Sequence, residues 1–340
     1  MPTLQSLIVT MPKAELHMHL EGSLEPELMF RLAARNSVGL PYRSEAELRA
    51  AYRFRDLQSF LEIYYAGLTV LLTERDFYDM TLAYLERVSA DHVVHAEVFI
   101  APQAHVRRGV PLAAVVEGVD AALRDGGRRL GMTTGLILGI QRQWSEDDAL
   151  AMLDEAAPYR DRVVGIGLGG PELPHPPRKF VRAFARAREL GWRTVAHAGE
   201  EGPAAYVTDT VDLLGVDRID HGVRCEEDPA LVSRLAGLGI PLTVCPLSNV
   251  QLGVFPSLAA HNLKRLLDAG VCVTVNSDDP SYFGGYVADN VAAAQAALGL
   301  SVDDVYALAR NGFTSAFLEP ADKARYLAQL DAHRVESRAC

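Results

Sequence analysis

Four short polar motifs in this chain each follow an apolar run of the kind that forms a β-strand. They are His17-Met18-His19, His197-Ala198-Gly199-Glu200, Asp220-His221-Gly222 and Ser277-Asp278-Asp279. Because the carboxyl ends of parallel strands meet at one end of a barrel or one edge of a sheet, we expect these side chains to converge. Nitrogen and oxygen ligands that converge from several strands are what a catalytic metal site requires.

The His17-Met18-His19 motif carries the strongest metal signal. Side-chain direction repeats every second residue of an extended chain, so both imidazole rings stand on the same side and can bind one ion without a bend in the backbone. The alternative, two inward-facing imidazoles with nothing to bind, is energetically unfavourable. His197 and Asp278, at the ends of two later strands, complete a predicted set of four ligands for one metal ion.

The apolar runs alternate with helical patterns along the whole chain. The predicted strands are Glu15–Leu20, Val93–Ile100, Thr133–Ile140, Arg162–Gly169, Arg193–Ala198, Arg218–His221, Leu242–Pro246 and Cys272–Ser277. Strands that alternate with helices predict a parallel sheet, and eight of them predict a closed barrel. We therefore expect an α/β fold, a single (β/α)8 TIM barrel in which residues 1–340 form one domain.

Helix signals support this interpretation. The pattern over Pro177–Leu190 predicts a helix that ends at Gly191, and Ser145 before an acidic first turn predicts a helix N-cap. The stretch Glu21–Ala90 is longer than one crossover connection needs, so we expect it to add helices over the barrel mouth.

Composition narrows the function classes. The formal net charge of −11 argues against nucleic acid as a partner. No run reaches the roughly 18 apolar residues of a membrane span, and Met1–Pro12 lacks the pattern of a signal peptide. The scattered cysteines Cys225, Cys245, Cys272 and Cys340 predict free thiols rather than a disulfide framework, which favours a cytoplasmic protein.

Two further residues suggest the chemistry. Glu200 lies three residues after His197, and the intervening Ala-Gly allows a sharp turn that can aim its carboxyl at an activated nucleophile, whereas Glu201 fits a solvated loop acid. His221 is either a fifth ligand or a base beside the metal. One metal surrounded by an Asp, a His and a Glu suits attack of activated water on an sp² carbon.

The order and spacing of the motifs resemble the adenosine/adenine deaminase family over nearly the whole chain. The segments that carry the resemblance are Pro12–Ser23, His197–Glu200, Asp220–Gly222, Cys245–Asn249 and Ser277–Pro280. The resemblance implies a (β/α)8 barrel with one zinc ion per chain. It also implies a small-molecule purine substrate, from which ammonia leaves after hydroxide adds to C6.

The resemblance implies roles for individual residues. It makes His17, His19, His197 and Asp278 the zinc ligands. It gives Glu200 the task of protonating purine N1, and it gives His221 and Asp278 the task of orienting and deprotonating the zinc water. Asp279 would hold N7. Barrel relatives with two metals usually carry a bridging lysine on strand 4, and Arg162–Gly169 contains none, so we expect one metal.

The substrate is expected to be a free base. Leu20-Glu21-Gly22 is similar to the adenine deaminase branch, whereas adenosine deaminases typically carry aspartate in place of this glutamate; we expect Glu21 to crowd the volume of a ribose. Gly170 falls where the adenosine deaminases carry a glycine whose backbone N–H binds N3 of the purine. This chain departs from the adenine deaminase branch at Ala101 and in the stretch Gly169-Gly170-Pro171-Glu172, which lacks two serines that are usual in that branch. Their absence would enlarge the pocket for an N6-substituted adenine.

Leu57, Phe60, Leu61 and Tyr64 repeat at helical spacing. Such a stripe is often core, and the resemblance suggests an apolar lid over the active-site mouth. We expect deamination of adenine to hypoxanthine in purine salvage. The alternatives are adenosine deamination, deamination of N6-substituted adenines, a non-catalytic purine-binding barrel, and a phosphotriesterase-like or cyclic amide hydrolase, which the missing strand-4 lysine disfavours.

Overall fold

The computed structural model describes residues 4–339, and within them eight strands form one parallel sheet in sequential order. The predicted barrel and its strand order are therefore confirmed. The strands are β1 (Lys13–Glu15), β2 (Val93–Ile100), β3 (Thr133–Gln141), β4 (Gly165–Gly169), β5 (Arg193–Ala198), β6 (Arg218–His221), β7 (Leu242–Val244) and β8 (Val273–Val275).

Strand β1 is shorter than predicted and lies earlier in the chain. The expected strand Glu15–Leu20 was wrong in its bounds, because regular pairing with β2 stops after Glu15. The chain stays extended beyond that point and pairs with the segment that follows β8. The Asp278 amide donates to the His17 carbonyl at 3.0 Å, and the His19 amide donates to the Asp278 carbonyl at 2.9 Å.

Side chains close the barrel between β8 and β1. The Leu16 amide donates to Asn276 Oδ1 at 2.9 Å, and the Ser277 hydroxyl donates to Glu15 at 2.7 Å. These bonds replace a regular ladder, so the two segments that carry His17 and Asp278 are fixed to each other.

Helices fill the connections and cover the barrel. They are α1 (Leu4–Thr10), α2 (Pro26–Asn36), α3 (Glu45–Ala51), α4 (Leu57–Gly67), α5 (Glu74–Ser89), α6 (Pro102–Val106), α7 (Leu112–Leu130), α8 (Glu146–Ala156), α9 (Val181–Glu189), α10 (Ala204–Asp209), α11 (Pro229–Leu238), α12 (Pro246–Gln251), α13 (Leu263–Asp268), α14 (Pro280–Phe283), α15 (Val287–Leu298), α16 (Val302–Ser315) and α17 (Pro320–Ala339). Helices α2 to α5 are the predicted insertion after the first strand. Helix α16 packs against both β8 and β1, on the outside of the irregular closure.

The predicted helix boundaries are close to those observed. Ser145 caps α8, accepting a hydrogen bond from the Asp148 amide at 3.0 Å. The pattern over Pro177–Leu190 divides into a 3₁₀ turn, Pro177–Phe180, and α9. Gly191 follows with a φ of +82°, the left-handed conformation that commonly ends a helix.

Cys225 and Cys245 are buried free thiols, and Cys272 is a partly buried one, as predicted; Cys340 lies outside the described residues. Between residues 4 and 339, no helix has the length and apolarity needed to cross a lipid bilayer.

A buried ion pair fills the amino-terminal end of the barrel. Arg218 at the start of β6 and Glu97 of β2 are both buried, and Arg218 Nη1 lies 2.6 Å from Glu97 Oε2. His95 Nε2 lies 3.0 Å from the other oxygen of Glu97, and the guanidinium stacks 3.8 Å above the Phe317 ring. Arg218 and its neighbours outweigh the effect of burial and lower the pKa of Glu97, so this carboxylate is ionised.

This pair should dominate the stability of the barrel floor. Arg218→Ala leaves Glu97 buried without its cation, which lowers the free energy of unfolding by about 3–5 kcal/mol. Arg265→Ala, which breaks a largely exposed pair with Glu226, is the control and should lower it by less than about 1 kcal/mol. Urea unfolding of the metal-loaded protein measures both, and equal losses would contradict this assignment.

Candidate active site

Four of the predicted metal-binding side chains meet at the carboxyl end of the barrel. His17 Nε2 and His19 Nε2 lie 3.1 and 3.2 Å from His197 Nε2. Asp278 Oδ1 lies 3.6 Å from His17 Nε2 and 3.4 Å from His19 Nε2. Donor atoms at the corners of a tetrahedron with metal–ligand bonds of about 2.0–2.1 Å are about 3.3 Å apart. The spacing therefore fits a single small divalent cation.

Contacts on the far side of two rings, a hydrogen bond at His17 and an ion-pair contact at His197, indicate that their Nε2 atoms carry lone pairs. His17 Nδ1 lies 3.0 Å from the Thr243 carbonyl, which can only accept, so the proton of this ring is on Nδ1. His197 Nδ1 lies 3.3 Å from Asp220, whose pKa is held well below its usual range by His17 and His197 in spite of burial. Two unprotonated nitrogens that face each other repel unless a cation lies between them.

The candidate ligands are held in an unusual backbone conformation. Asp278 has a φ of +64° and His221 a φ of +62°, in the left-handed region that side chains other than glycine rarely adopt. Such strain persists only where the surrounding structure enforces it, and it concentrates at functional sites. Here the bridge between Met18 and Asp278 is part of that enforcement.

His221 lies beside the ligand set, and His17, His197, His221 and Asp278 form a buried group that could itself hold a metal ion. A chain of hydrogen bonds, however, assigns the proton of His221. The Leu263 amide donates to His261 Nδ1 at 3.0 Å, so neutral His261 carries its proton on Nε2, which lies 3.2 Å from Asn249 Oδ1. Burial lowers the pKa of His261 to about 4, which keeps the ring neutral.

The same chain continues to His221. The Asn249 Nδ2 amide donates to His221 Nδ1 at 3.2 Å, so a neutral His221 carries its proton on Nε2. Burial lowers the pKa of His221 well below its ordinary value. His221 Nε2 is 3.6 Å from Glu200 Oε2 and 3.7 Å from Asp278 Oδ2. In this tautomer His221 is a hydrogen-bond donor beside the metal centre rather than a ligand.

Two neighbouring carboxyl groups have opposite protonation states. Burial, followed by repulsion from Asp278, raises the pKa of Glu200 well above its usual range. Burial alone would raise the pKa of Asp278 as well, but His17, His221 and the other imidazoles hold it below its usual range. Glu200 is therefore a proton donor at neutral pH, and Asp278 is a proton acceptor.

The loop that carries Glu200 is anchored by a residue that the sequence analysis gave no role. The buried Glu172 carboxylate accepts hydrogen bonds from four successive amides, those of Gly199 at 2.7 Å, Glu200 at 3.0 Å, Glu201 at 2.7 Å and Gly202 at 2.6 Å. The only sequence signal was an acidic residue in the loop after β4. Glu172 thus fixes the backbone from which Glu200 projects.

Arg142 completes this anchor. Its buried guanidinium lies 3.8 Å from Glu172 and donates to the carbonyl of His197 at 2.5 Å. It balances the charge of Glu172 and ties the end of β5 to the same network. Sequence reasoning had left Arg142, Thr243, Asp220 and Asn249 without a role as well.

Asp279 lines the same cavity as Glu200. Burial and the adjacent Asp278 raise the pKa of Asp279 well above its usual range. Its Oδ1 is buried against Gly22 and has no hydrogen-bond partner among residues 4–339. Gly22 packs against its backbone, and a β-carbon at Gly22 would lie 2.6 Å from Asp279 Cα.

A cavity opens over this centre. The predicted residues on its surface are His19, His197, Glu200, His221, Asp278, Asp279, Gly170, Leu57, Phe60, Leu61 and Tyr64. Helix α4 supplies the apolar stripe, which covers the mouth together with Leu252 and Phe283. Tyr65 and Gln141 also line the cavity, although their sequence context carries no signal for it.

Among the described residues, Glu21 is the predicted substrate contact that does not reach the cavity surface. Its buried carboxylate accepts from the Ala101 amide at 2.8 Å and lies 3.1 Å from His105 Nε2. It stands behind the cavity wall, and its part in substrate choice stays a prediction.

Comparisons with known proteins agree with this geometry. The family model described as adenosine deaminase matches residues 12–333. Adenine deaminase of Paraburkholderia xenovorans is 59% identical over 329 residues, which cover 96% of this chain and 94% of that protein. That of Geotalea uraniireducens is 56% identical over 96% of this chain and 93% of its own length.

Solved structures resemble the fold closely. The crystal structure of adenine deaminase from Arthrobacter aurescens has a TM-score of 0.94 and 50% identity, covering 95% of this chain and 99% of its own. An amidohydrolase from Burkholderia ambifaria with bound zinc has a TM-score of 0.90 and 29% identity over 100% of this chain and 96% of its own. With its barrel, its converging imidazoles and these relatives, the chain belongs to the adenosine deaminase family.

Proposed function

We propose that this protein is a metal-dependent aminohydrolase that converts adenine and water to hypoxanthine and ammonia. The observation that carries the proposal is that Glu200, whose pKa burial raises, and Asp278, whose pKa the surrounding imidazoles lower, line one small cavity together with His19, His197 and His221. Hydrolytic deamination of a purine needs one group that gives a proton to the ring and one that takes a proton from water. The relatives named adenine deaminases support the choice of adenine.

We assign the cation to His17, His19, His197 and Asp278, and we propose that it is a single zinc ion. Three imidazoles and one carboxylate are a donor set that zinc favours, and the bound zinc of the Burkholderia ambifaria relative supports this choice. When bound, such a cation acts as a Lewis acid that makes water a stronger nucleophile at neutral pH.

The reaction follows from the proton positions. Glu200 gives its proton to N1, which makes C6 electron-poor, while Asp278 takes a proton from the water that adds to C6. His221 donates from Nε2 to the attacking oxygen and orients it. The proton held by Asp278 then goes to the amino group, and ammonia leaves. As the C6 carbonyl forms, the hydroxyl group on C6 gives its proton to Glu200, which restores the acid.

Other residues would position the ring. A protonated Asp279 donates to N7, which is an acceptor in adenine, and the Gly170 amide meets N3. Leu57, Phe60, Leu61 and Tyr64 cover the ring and exclude water, which strengthens each polar contact beneath them. Asn249 and Glu172 act through His221 and Glu200 respectively and are positioning residues.

Ammonia release from a panel of purines tests the proposed function directly. The metal-loaded protein should release ammonia from adenine with a kcat/KM at least about 10²-fold higher than from adenosine. N6-isopentenyladenine belongs in the panel because the loop at Gly170 lacks two serines that are usual in the adenine deaminase branch. Its leaving group is isopentenylamine rather than ammonia, so its turnover is measured by the formation of hypoxanthine. A higher kcat/KM for adenosine than for either free base would show that the base assignment is wrong.

The metal assignment predicts about one divalent ion per chain, because one tetrahedral donor set is present. His17→Ala should remove both the ion and the activity, as measured by elemental analysis of the purified protein. His333→Ala, which changes a histidine on α17 far from the cavity, is the matched control and should keep both. Two ions per wild-type chain would refute a mononuclear site.

Glu200→Gln should lower kcat by at least about 10²-fold, the scale of a positioned general acid, and should leave metal content unchanged. Because the activity needs the proton of Glu200, wild-type turnover should also fall as the pH rises through its raised pKa. Glu201→Gln, at the half-buried neighbouring acid, is the control and should retain activity. Loss of the metal from Glu200→Gln would instead make Glu200 a ligand.

A further inference from the structure

The proposed function fixes which edge of a purine faces which strands, and the inference below depends on it. Glu200 follows β5 and would hold N1, whereas Asp279 follows β8 and would hold N7. The edge that carries N3 and N9 must then face the remaining sector of the barrel mouth, above β2, β3 and β4. Gly170, which follows β4 and lines the cavity, marks that sector.

Three polar side chains close this sector. Tyr65 of α4 donates its hydroxyl proton to Gln141 Oε1 at 2.7 Å. The Gln143 amide nitrogen lies 3.0 Å from the Tyr65 hydroxyl and 3.2 Å from Gln141 Oε1, and it donates to both. The three side chains thus form a continuous hydrogen-bonded wall, hereafter the glutamine wall.

The wall leaves one acceptor without a donor. Gln143 Oε1 is buried and has no hydrogen-bond partner among residues 4–339. It lies close to Gly170, since a β-carbon on Gly170 would come within 2.5 Å of it. A free 6-aminopurine carries an N9–H that can donate to this oxygen. A nucleoside carries a carbon at N9 and leaves the oxygen unpaired, which is unfavourable in a buried site.

A second cavity lies behind the glutamine wall. It has a volume of about 230 Å³, compared with about 50 Å³ for the cavity over the metal centre. Tyr65 borders both cavities, Gln141 lines the inner one, and Gln143 lines the outer one together with Leu68, Arg107, Arg108 and Trp144. Arg107 stacks 4.6 Å above the Trp144 ring, so this space offers cations and an aromatic surface.

We propose that Tyr65, Gln141 and Gln143 determine the preference for a free base. The glutamine wall blocks any N9 substituent sterically, and Gln143 Oε1 accepts the N9–H of the base. Removal of the wall would join the two cavities and provide room for a sugar. The same chain would then accept a 6-aminopurine nucleoside, with its ribose in the outer cavity beside Arg107 and Arg108.

Two substitutions separate the two parts of this proposal. Gln143→Ala shortens the wall and should raise kcat/KM for adenosine relative to adenine by at least about 10-fold, mainly through a lower KM. Gln143→Met keeps the length of the side chain but removes its acceptor. It should lower kcat/KM for adenine by about 10-fold and leave adenosine excluded.

The controls use the same full-length, metal-loaded protein. Gln295→Ala changes a glutamine on α15, outside both cavities, and should leave the adenine-to-adenosine ratio within about twofold of wild type. 9-Methyladenine isolates the N9 position, because it lacks the N9–H but adds only a methyl group. Calorimetric affinities of adenine and 9-methyladenine for metal-loaded Glu200→Gln, in which turnover of the ligand is suppressed, should differ by at least about 10-fold.

The outcomes distinguish this inference from the proposed function. If adenine and 9-methyladenine bind equally well, or if folded Gln143→Ala keeps the wild-type substrate ratio, the glutamine wall does not set specificity. If wild type binds free bases preferentially but releases no ammonia from them, the wall assignment stands and the proposed activity is wrong. Preferred turnover of adenosine by wild type would overturn both.

Discussion

The site depends on the convergence of unprotonated imidazole nitrogens on one point. Thr243 and Asp220 hold the protons of His17 and His197 on Nδ1, so both Nε2 lone pairs face inward at 3.1 Å. That arrangement is repulsive by itself and becomes stabilising only around a cation. Backbone hydrogen bonds between the segments that follow β1 and β8 keep these groups together, because they join the His17 segment directly to Asp278.

The same concentration of imidazoles divides the work between two carboxyl groups. Asp278 stays ionised because the histidines surround it, whereas burial and the charge of Asp278 both raise the pKa of Glu200. A change that neutralised Asp278 would therefore lower the pKa of Glu200, so that fewer molecules carry the proton at neutral pH, and would also remove the base. Glu172 contributes by fixing four amides of the loop, so that Glu200 is held in place through its backbone.

Local periodicity in the sequence predicted some parts of the site, but the parts that depend on packing between distant segments could not be predicted. The alternation in His17-Met18-His19 and the ends of β5, β6 and β8 were enough to predict the barrel and the group of residues that meets at its mouth. The bounds of β1 were wrong because pairing with the Asp278 segment replaces the regular ladder there. Asn249 and Glu172 could not be predicted, because each acts across a distance in sequence that no local pattern records.

The position of Glu21 shows how a longer side chain can change a pocket without entering it. One additional methylene compared with aspartate lets its buried carboxylate reach the Ala101 amide and His105, and it does not line the cavity. A shorter acid would leave its charge nearer the cavity, where a sugar hydroxyl could bind it. We expect that Glu21, by holding that charge away from the cavity surface, removes a partner that a ribose hydroxyl would need. Selectivity for a free base would then combine a missing partner for the sugar with a wall against N9.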